Sequence, residues 1–210
     1  MTSSLVDFLL SLMDKSLTIG EKKGSPFEIT AEQFLDFAIE DLKNDSSHSR
    51  INALGNVKRA IESRIDQIFF SACLHVKSQK ERWDFPKKIE ILAELGVIAP
   101  KILRRINRQR NLLEHEYVIP KKDDVEDAID VATLFIAYTD KLTRNSRMVG
   151  EIQYVDSNKV KSTIKFDRKK RTIIITDSSG EKKIKISHSD EWFTVAKILL
   201  EEFVPYYMAT

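Results

Sequence analysis

Leu54-Gly55-Asn56-Val57-Lys58-Arg59-Ala60-Ile61-Glu62-Ser63-Arg64-Ile65-Asp66-Gln67-Ile68-Phe69-Phe70-Ser71-Ala72 decides the architecture of the longer, N-terminal part of the chain. Leu54, Val57, Ile61, Ile65, Ile68 and Ala72 recur at alternating steps of three and four, the period of one helix face. Asp45-Ser46-Ser47 offers side-chain oxygens to cap its start, and the spacing predicts a helix to about Lys77. A helix so long and so evenly striped is expected at the centre of a helical bundle.

The neighbouring segments read as its partners. Residues from about 4 to 14 read as a short amphipathic helix, and Gly20–Pro26 has loop composition. Thr30-Ala31-Glu32-Gln33 is a capping box, opening a helix to about Asn44 with Phe34, Phe37, Ala38 and Leu42 on one face. Pro86 suits a first helical turn and Gly96 a C-terminal end. Pro100 opens a further helix that must stop before Pro120. Asp123 or Asp124 then caps a helix carrying Val125, Ile129, Ala132, Phe135, Ile136 and Leu142.

Near Val149 the apolar period changes from 3.6 to 2. Strands are expected around Ile152–Tyr154, Val160–Phe166, Thr172–Thr176 and Ile184–Ile186, separated by Asp-, Asn-, Ser- and Gly-rich turns. Ser189 caps a last helix through Trp192, Val195, Ile198 and Leu199. The expected fold is mainly α: a helical domain over 1–148, then a small α+β module over 149–210. That module combines a four-stranded antiparallel meander with one helix.

Composition narrows the function classes. Between Lys141 and His188 lie thirteen basic and five acidic residues, in a chain whose net charge is only +2. A basic module joined to a slightly acidic one suits a polyanion or an acidic partner, although a solvated set of strand faces would carry the same charges. The lone Cys73 excludes an internal disulfide and a cysteine-based zinc site, and no metal or cofactor site is expected. No apolar run approaches the roughly 20 residues of a membrane span. No basic segment precedes Leu5, Phe8, Leu9 and Leu12, so no secretory signal is read, and a cytoplasmic protein is expected.

The chemistry gathers in Arg110-Asn111-Leu112-Leu113-Glu114-His115-Glu116-Tyr117, at the end of a helix that begins with Lys101, Arg104, Arg105 and Arg108. Arginine binds phosphate in bidentate fashion, an amide supplies a donor and an acceptor, and imidazole moves protons near neutral pH. RNA carries its own nucleophile, the 2′-hydroxyl beside each phosphate, so these three groups suffice to cleave it. On a helical wheel Ile102, Leu103, Ile106, Leu113 and Tyr117 form the apolar stripe, and Arg110 falls within it. Such a cation needs a carboxylate, a ligand anion or an interface. A plain ion pair with Glu114 is one solution. Asn111 and His115 fall on another face, beneath Arg104 and Arg108. Arg110 and His115 diverge by about 140°, so a joint site needs a distorted last turn or two copies of the helix.

These residues carry a family resemblance. A capped helix, a long helix, a short helix ending in Glu94-Leu95-Gly96-Val97-Ile98, and a helix with Arg110-Asn111-x-x-x-His115 together resemble the HEPN superfamily, the higher eukaryote and prokaryote nucleotide-binding domains. The resemblance covers about residues 30–145. With Tyr117 it takes the Arg–x4–His–x–Tyr form of HEPN toxins paired with nucleotidyltransferase antitoxins. It implies a homodimeric bundle whose motif helices share a cleft, and a metal-independent endoribonuclease in a toxin or antiviral role. Arg110 and Asn111 would hold the scissile phosphate, and His115 would be the acid/base group. Tyr117 would be a candidate site for adenylate attachment by a nucleotidyltransferase partner. Arg104, Arg105 and Arg108, with Lys169, Lys170 and Arg171 of the sheet module, are the expected RNA-binding residues. Other members of the superfamily are non-catalytic modules that dock a nucleotidyltransferase or another effector, and this is the second expectation.

Overall fold

The computed structural model describes residues 16–19, 27–72, 74–97, 100–147, 151–155, 161–167, 172–178 and 180–185. The elements are β1 (Ser16–Ile19), α1 (Ala31–Leu42), α2 (Ser47–Ser71), α3 (His75–Lys80), α4 (Phe85–Glu94), α5 (Pro100–Glu116), α6 (Lys122–Arg147), β2 (Glu151–Val155), β3 (Lys161–Asp167), β4 (Thr172–Asp177) and β5 (Gly180–Lys185). They divide into a helical unit, residues 25–69 and 78–141, and a sheet unit, residues 1–24, 70–77 and 142–210.

The helix starts are local and strong. The Gln33 amide donates to Thr30 Oγ1 at 3.3 Å while the Thr30 amide donates to Gln33 Oε1 at 2.9 Å. Ser46 and Ser49 exchange the same pair of bonds, at 2.8 and 3.0 Å, ahead of α2. Asp84 accepts from the Lys87 amide at 2.9 Å with Pro86 in the first turn of α4, and Gly96 follows that helix at φ +78°. Each arrangement satisfies amides or carbonyls that a helix end leaves without a partner.

Within the helical unit α2 is the largest contributor to the core: Leu54, Val57, Ala60, Ile61, Ile65, Ile68 and Phe69 are buried, as are Leu35 and Ala38 of α1, Ile89 and Leu92 of α4, Leu103 and Ile106 of α5, and Val125, Ala132 and Phe135 of α6. Two expectations are corrected. Helix α2 stops at Ser71 rather than Lys77, and His75–Lys80 forms a separate helix. The buried face of α1 is Ala31, Leu35 and Ala38, while Phe37 is 47% exposed and stands edge-on to Phe34. Apolar character alone would turn the ring inward, but small Ala31 and Ala38 allow the closer approach of helix to helix.

Arg64 sits at the heart of this unit with no exposed surface. It occupies the apolar stripe itself, in the series 57, 61, 64, 68. A buried guanidinium requires charge partners. It has Glu32 of α1, in hydrogen-bond contact, and Asp140 of α6, with Nη1 and Oδ1 3.9 Å apart. One side chain thereby ties three helices. Polar clasps nearer the surface repeat the theme: Asn56 Nδ2 donates to Asp41 Oδ2 at 2.8 Å, and Lys88 Nζ to Asp66 Oδ1 at 2.7 Å.

The sheet unit has five strands in the order β1-β2-β3-β4-β5, every neighbour antiparallel. The expectation of four strands is therefore corrected: Ser16–Ile19 joins as an edge strand, pairing Leu17 with Tyr154 and Ile19 with Ile152. The register lines up Ile19, Ile152, Ile164 and Ile175 across the sheet, and Phe166, Ile173 and Ile184 in another row of the same face. Ile175 on that face is buried. The expected helices at 4–14 and after Ser189, the Gly20–Pro26 loop and Cys73 lie outside the described residues.

Candidate functional site

Helix α5 positions the motif. It begins at Pro100, whose fixed φ suits a first turn and whose missing N–H costs nothing there. It stays α-helical to Glu116, so no distorted last turn brings residues 110 and 115 together. On a regular helix those two positions remain about 140° apart. The side chains of Arg110 and Glu114 lie outside what is described, so their pairing is not part of this geometry.

The buried side of α5 is set by Leu103 and Ile106. Opposite them Lys101, Arg104, Arg105, Arg108, Asn111 and His115 are all exposed. At 100° per residue these positions fit within an arc of about 120° and run about 21 Å along the axis. The candidate acid/base group and the candidate phosphate-holding amide thus share one open face with the expected RNA-binding arginines. Arg110 belongs by position to the other side.

The cations of this row have no acidic residue three or four positions away. Several other helical lysines do, as in Lys58–Glu62 at 3.9 Å, Lys87–Glu90 at 3.3 Å and Lys122–Glu126 at 3.9 Å. Among the described residues no carboxylate pairs with Lys101, Arg104, Arg105 or Arg108. Repelling charges held in line on one rigid helix raise the local potential and attract a polyanion.

Tyr117 does not join the apolar stripe. The helix ends one residue earlier, and Tyr117 turns into the left-handed region at φ +55° with 85% of its surface exposed. A non-glycine residue there carries strain of about 1–2 kcal/mol. Val118 and Ile119 follow, also exposed. Tyr117 falls on the apolar stripe only if the helix is continued one residue beyond its end at Glu116.

The sheet lysines are less free than the composition implied. Lys165 stands directly across from Glu151, and Lys183 Nζ is 2.9 Å from Glu181 Oε1. Lys169, Lys170 and Arg171 lie outside the described residues; only four residues, Arg168 to Arg171, link the paired Asp167 and Thr172.

Sequence reasoning missed Arg64. The signal was present, since it lies on the stripe of α2 as Arg110 lies on that of α5. Among the described residues no three His, Cys, Asp or Glu side chains come together as a metal-holding group, and no helix is long and apolar enough to cross a membrane. Comparison with protein-family models, with curated proteins and with solved structures finds no match to this chain.

Proposed function

We propose that this chain is a metal-independent endoribonuclease of HEPN type, acting as a homodimer in a toxin or defence role. The observation that carries the reading is the shared open face of Asn111 and His115 beside cations without acidic neighbours. In this mechanism the His115 imidazole takes the proton of the substrate 2′-hydroxyl. The 2′ oxygen attacks phosphorus, the P–O5′ bond breaks, and the imidazolium returns a proton to O5′. The products are a 2′,3′-cyclic phosphate and a 5′-hydroxyl end. Arg110 and Asn111 hold the phosphate oxygens as negative charge builds on them. In this reading the site is completed across the dimer, Arg110 of one copy serving with His115 of the other, because the two positions lie about 140° apart on one helix.

The test is incubation of the purified protein with total RNA in the presence of a chelator, beside His115→Ala. Cleavage by the wild type alone, with cyclic phosphate ends, supports the reading; equal cleavage by both removes His115 from the mechanism.

A second reading is a non-catalytic HEPN module that docks a nucleotidyltransferase or another effector. The exposed run Tyr117-Val118-Ile119 favours it, because three successive apolar side chains in water suit a protein partner. In that setting Tyr117 is the candidate site of adenylate attachment, its side chain being open to an enzyme. Stable capture of a nucleotidyltransferase by a chain that leaves RNA intact would favour this reading.

A further inference from the structure

Helices α5 and α6 carry one charge pattern with opposite signs. On α5 the cations Lys101, Arg104, Arg105 and Arg108 stand at i, i+3, i+4 and i+7; on α6 the carboxylates Asp123, Glu126, Asp127 and Asp130 stand at the same spacing. Every one of these residues is exposed. Each row therefore fills an arc of about 100° and a length of about 10.5 Å on its own helix. Glu126 is 3.9 Å from Lys122, but among the described residues no cation pairs with Asp123, Asp127 or Asp130, as no carboxylate pairs with the α5 row. Like charges held in line on a rigid helix repel one another, and an opposite row laid against them relieves the repulsion. A polyanion relieves the α5 row and leaves the α6 row as it was. The α5 row of another copy relieves both at once. In the same arc of α6, one turn beyond Asp130, Leu134 is 71% exposed and supplies the apolar contact that a charged row lacks.

We infer that the exposed face of α6 docks a second copy of this chain, its carboxylate row seated on the cation row of the other copy's α5. The spacing i, i+3, i+4, i+7 reads the same in both directions, so the rows match whether the two helices run parallel or antiparallel. In either direction the middle residues, Arg104 and Arg105, meet Glu126 and Asp127. The contact engages neither Arg110 nor His115. Its failure leaves the ribonuclease reading standing, and the failure of that reading leaves the contact standing.

The test is sedimentation velocity of the full chain over a range of concentrations. At about 50 mM salt the wild type is expected to self-associate, and at about 500 mM the association should weaken at least about tenfold, because exposed charges are screened. Arg104→Glu with Arg105→Glu sets acid against acid, and Glu126→Lys with Asp127→Lys sets base against base. Each pair should weaken low-salt association at least about tenfold. The two pairs joined in one chain leave the net charge of the wild type unchanged and exchange the rows, so association should return to within about threefold of wild type. All four positions are exposed, and circular dichroism verifies that each variant keeps its helix content. A wild type whose mean mass changes with neither concentration nor salt would overturn the contact. So would association that survives either reversal, or a folded variant with all four substitutions that fails to re-associate. Weakening by the α5 pair alone would mean that the cations meet some other acidic surface, and would overturn the assignment to α6.

Discussion

Arg64 of α2 has no exposed surface and is paired with Glu32 in the first turn of α1, while its other terminal nitrogen faces Asp140 of α6 at 3.9 Å. The guanidinium lies on the apolar stripe that builds the core. Removing its charge takes the cation from two partly exposed carboxylates, which water can still solvate, and removing its bulk leaves a hole between three helices. Arg64→Ala should cost about 2–5 kcal/mol, the range for truncating a large buried side chain, and Arg64→Met distinctly less, because a flexible apolar chain refills the space. Urea unfolding of the three proteins checks this; equal stability of the alanine and methionine variants would mean that volume plays no part.

Acid should expose the same clasp. Burial pushes the Glu32 carboxyl up, but a hydrogen bond from its own backbone amide, the Arg64 charge and the Thr30 hydroxyl outweigh that and hold it below its usual value of 4.5. A carboxylate depressed in the folded state contributes stability that is fully present above its unfolded value. That contribution is lost as pH falls from about 4.5 through the lower folded value. Urea midpoints of wild type and Glu32→Gln should therefore differ at pH 6 and converge in strong acid. A constant gap over that range would show that the carboxylate charge is not the source.

For catalysis, His115→Ala should reduce RNA cleavage by about 10²–10⁴-fold, the usual loss for a general acid/base group. Because His115 and Asn111 are exposed, alanine at either should shift stability by no more than about 0.5 kcal/mol. Single-turnover cleavage and thermal melts measured on the same preparations separate the two effects. A large fall in melting temperature would reassign the residue to structure.

The unbroken course of α5 gives the proposed composite site a direct test. Arg110→Ala and His115→Ala are each expected to be inactive as homodimers. Mixed after partial unfolding, they should regain about a quarter of wild-type activity, since half the dimers become heterodimers with one intact site of two. No recovery on mixing two inactive variants would place Arg110 and His115 of one copy in one site, and activity of either variant alone would leave that residue outside the mechanism.

Much of the helical unit was legible because its signals act within a few residues. Thr30 with Gln33, and Asp84 with Pro86, mark helix starts by satisfying amides three positions away. Pro100 and the approach to Pro120 bound α5 for equally local reasons. The alternation after Val149 foretold strands, whose ladder bonds fall between near neighbours in the chain. Of the candidate site, the shared side of Arg104, Arg108, Asn111 and His115 followed from spacing alone; that Lys101 and Arg105 join it, opposite buried Leu103 and Ile106, came from the structure.

The sequence by itself determined where helices start, where the apolar period changes, and which α5 residues share a side. Tertiary structure alone decided that Ser16–Ile19 completes the sheet, that Phe37 faces water while Ala38 packs, and that Tyr117 stands clear of the core. It also decided that Arg64 is the clasp of three helices. Caps and turns are made between residues a few positions apart, so they leave a local pattern. A strand at the opposite end of the chain, or a carboxylate from another helix, leaves none: its partner is chosen by packing, where desolvating a charge is offset only once the counter-charge has been brought to it.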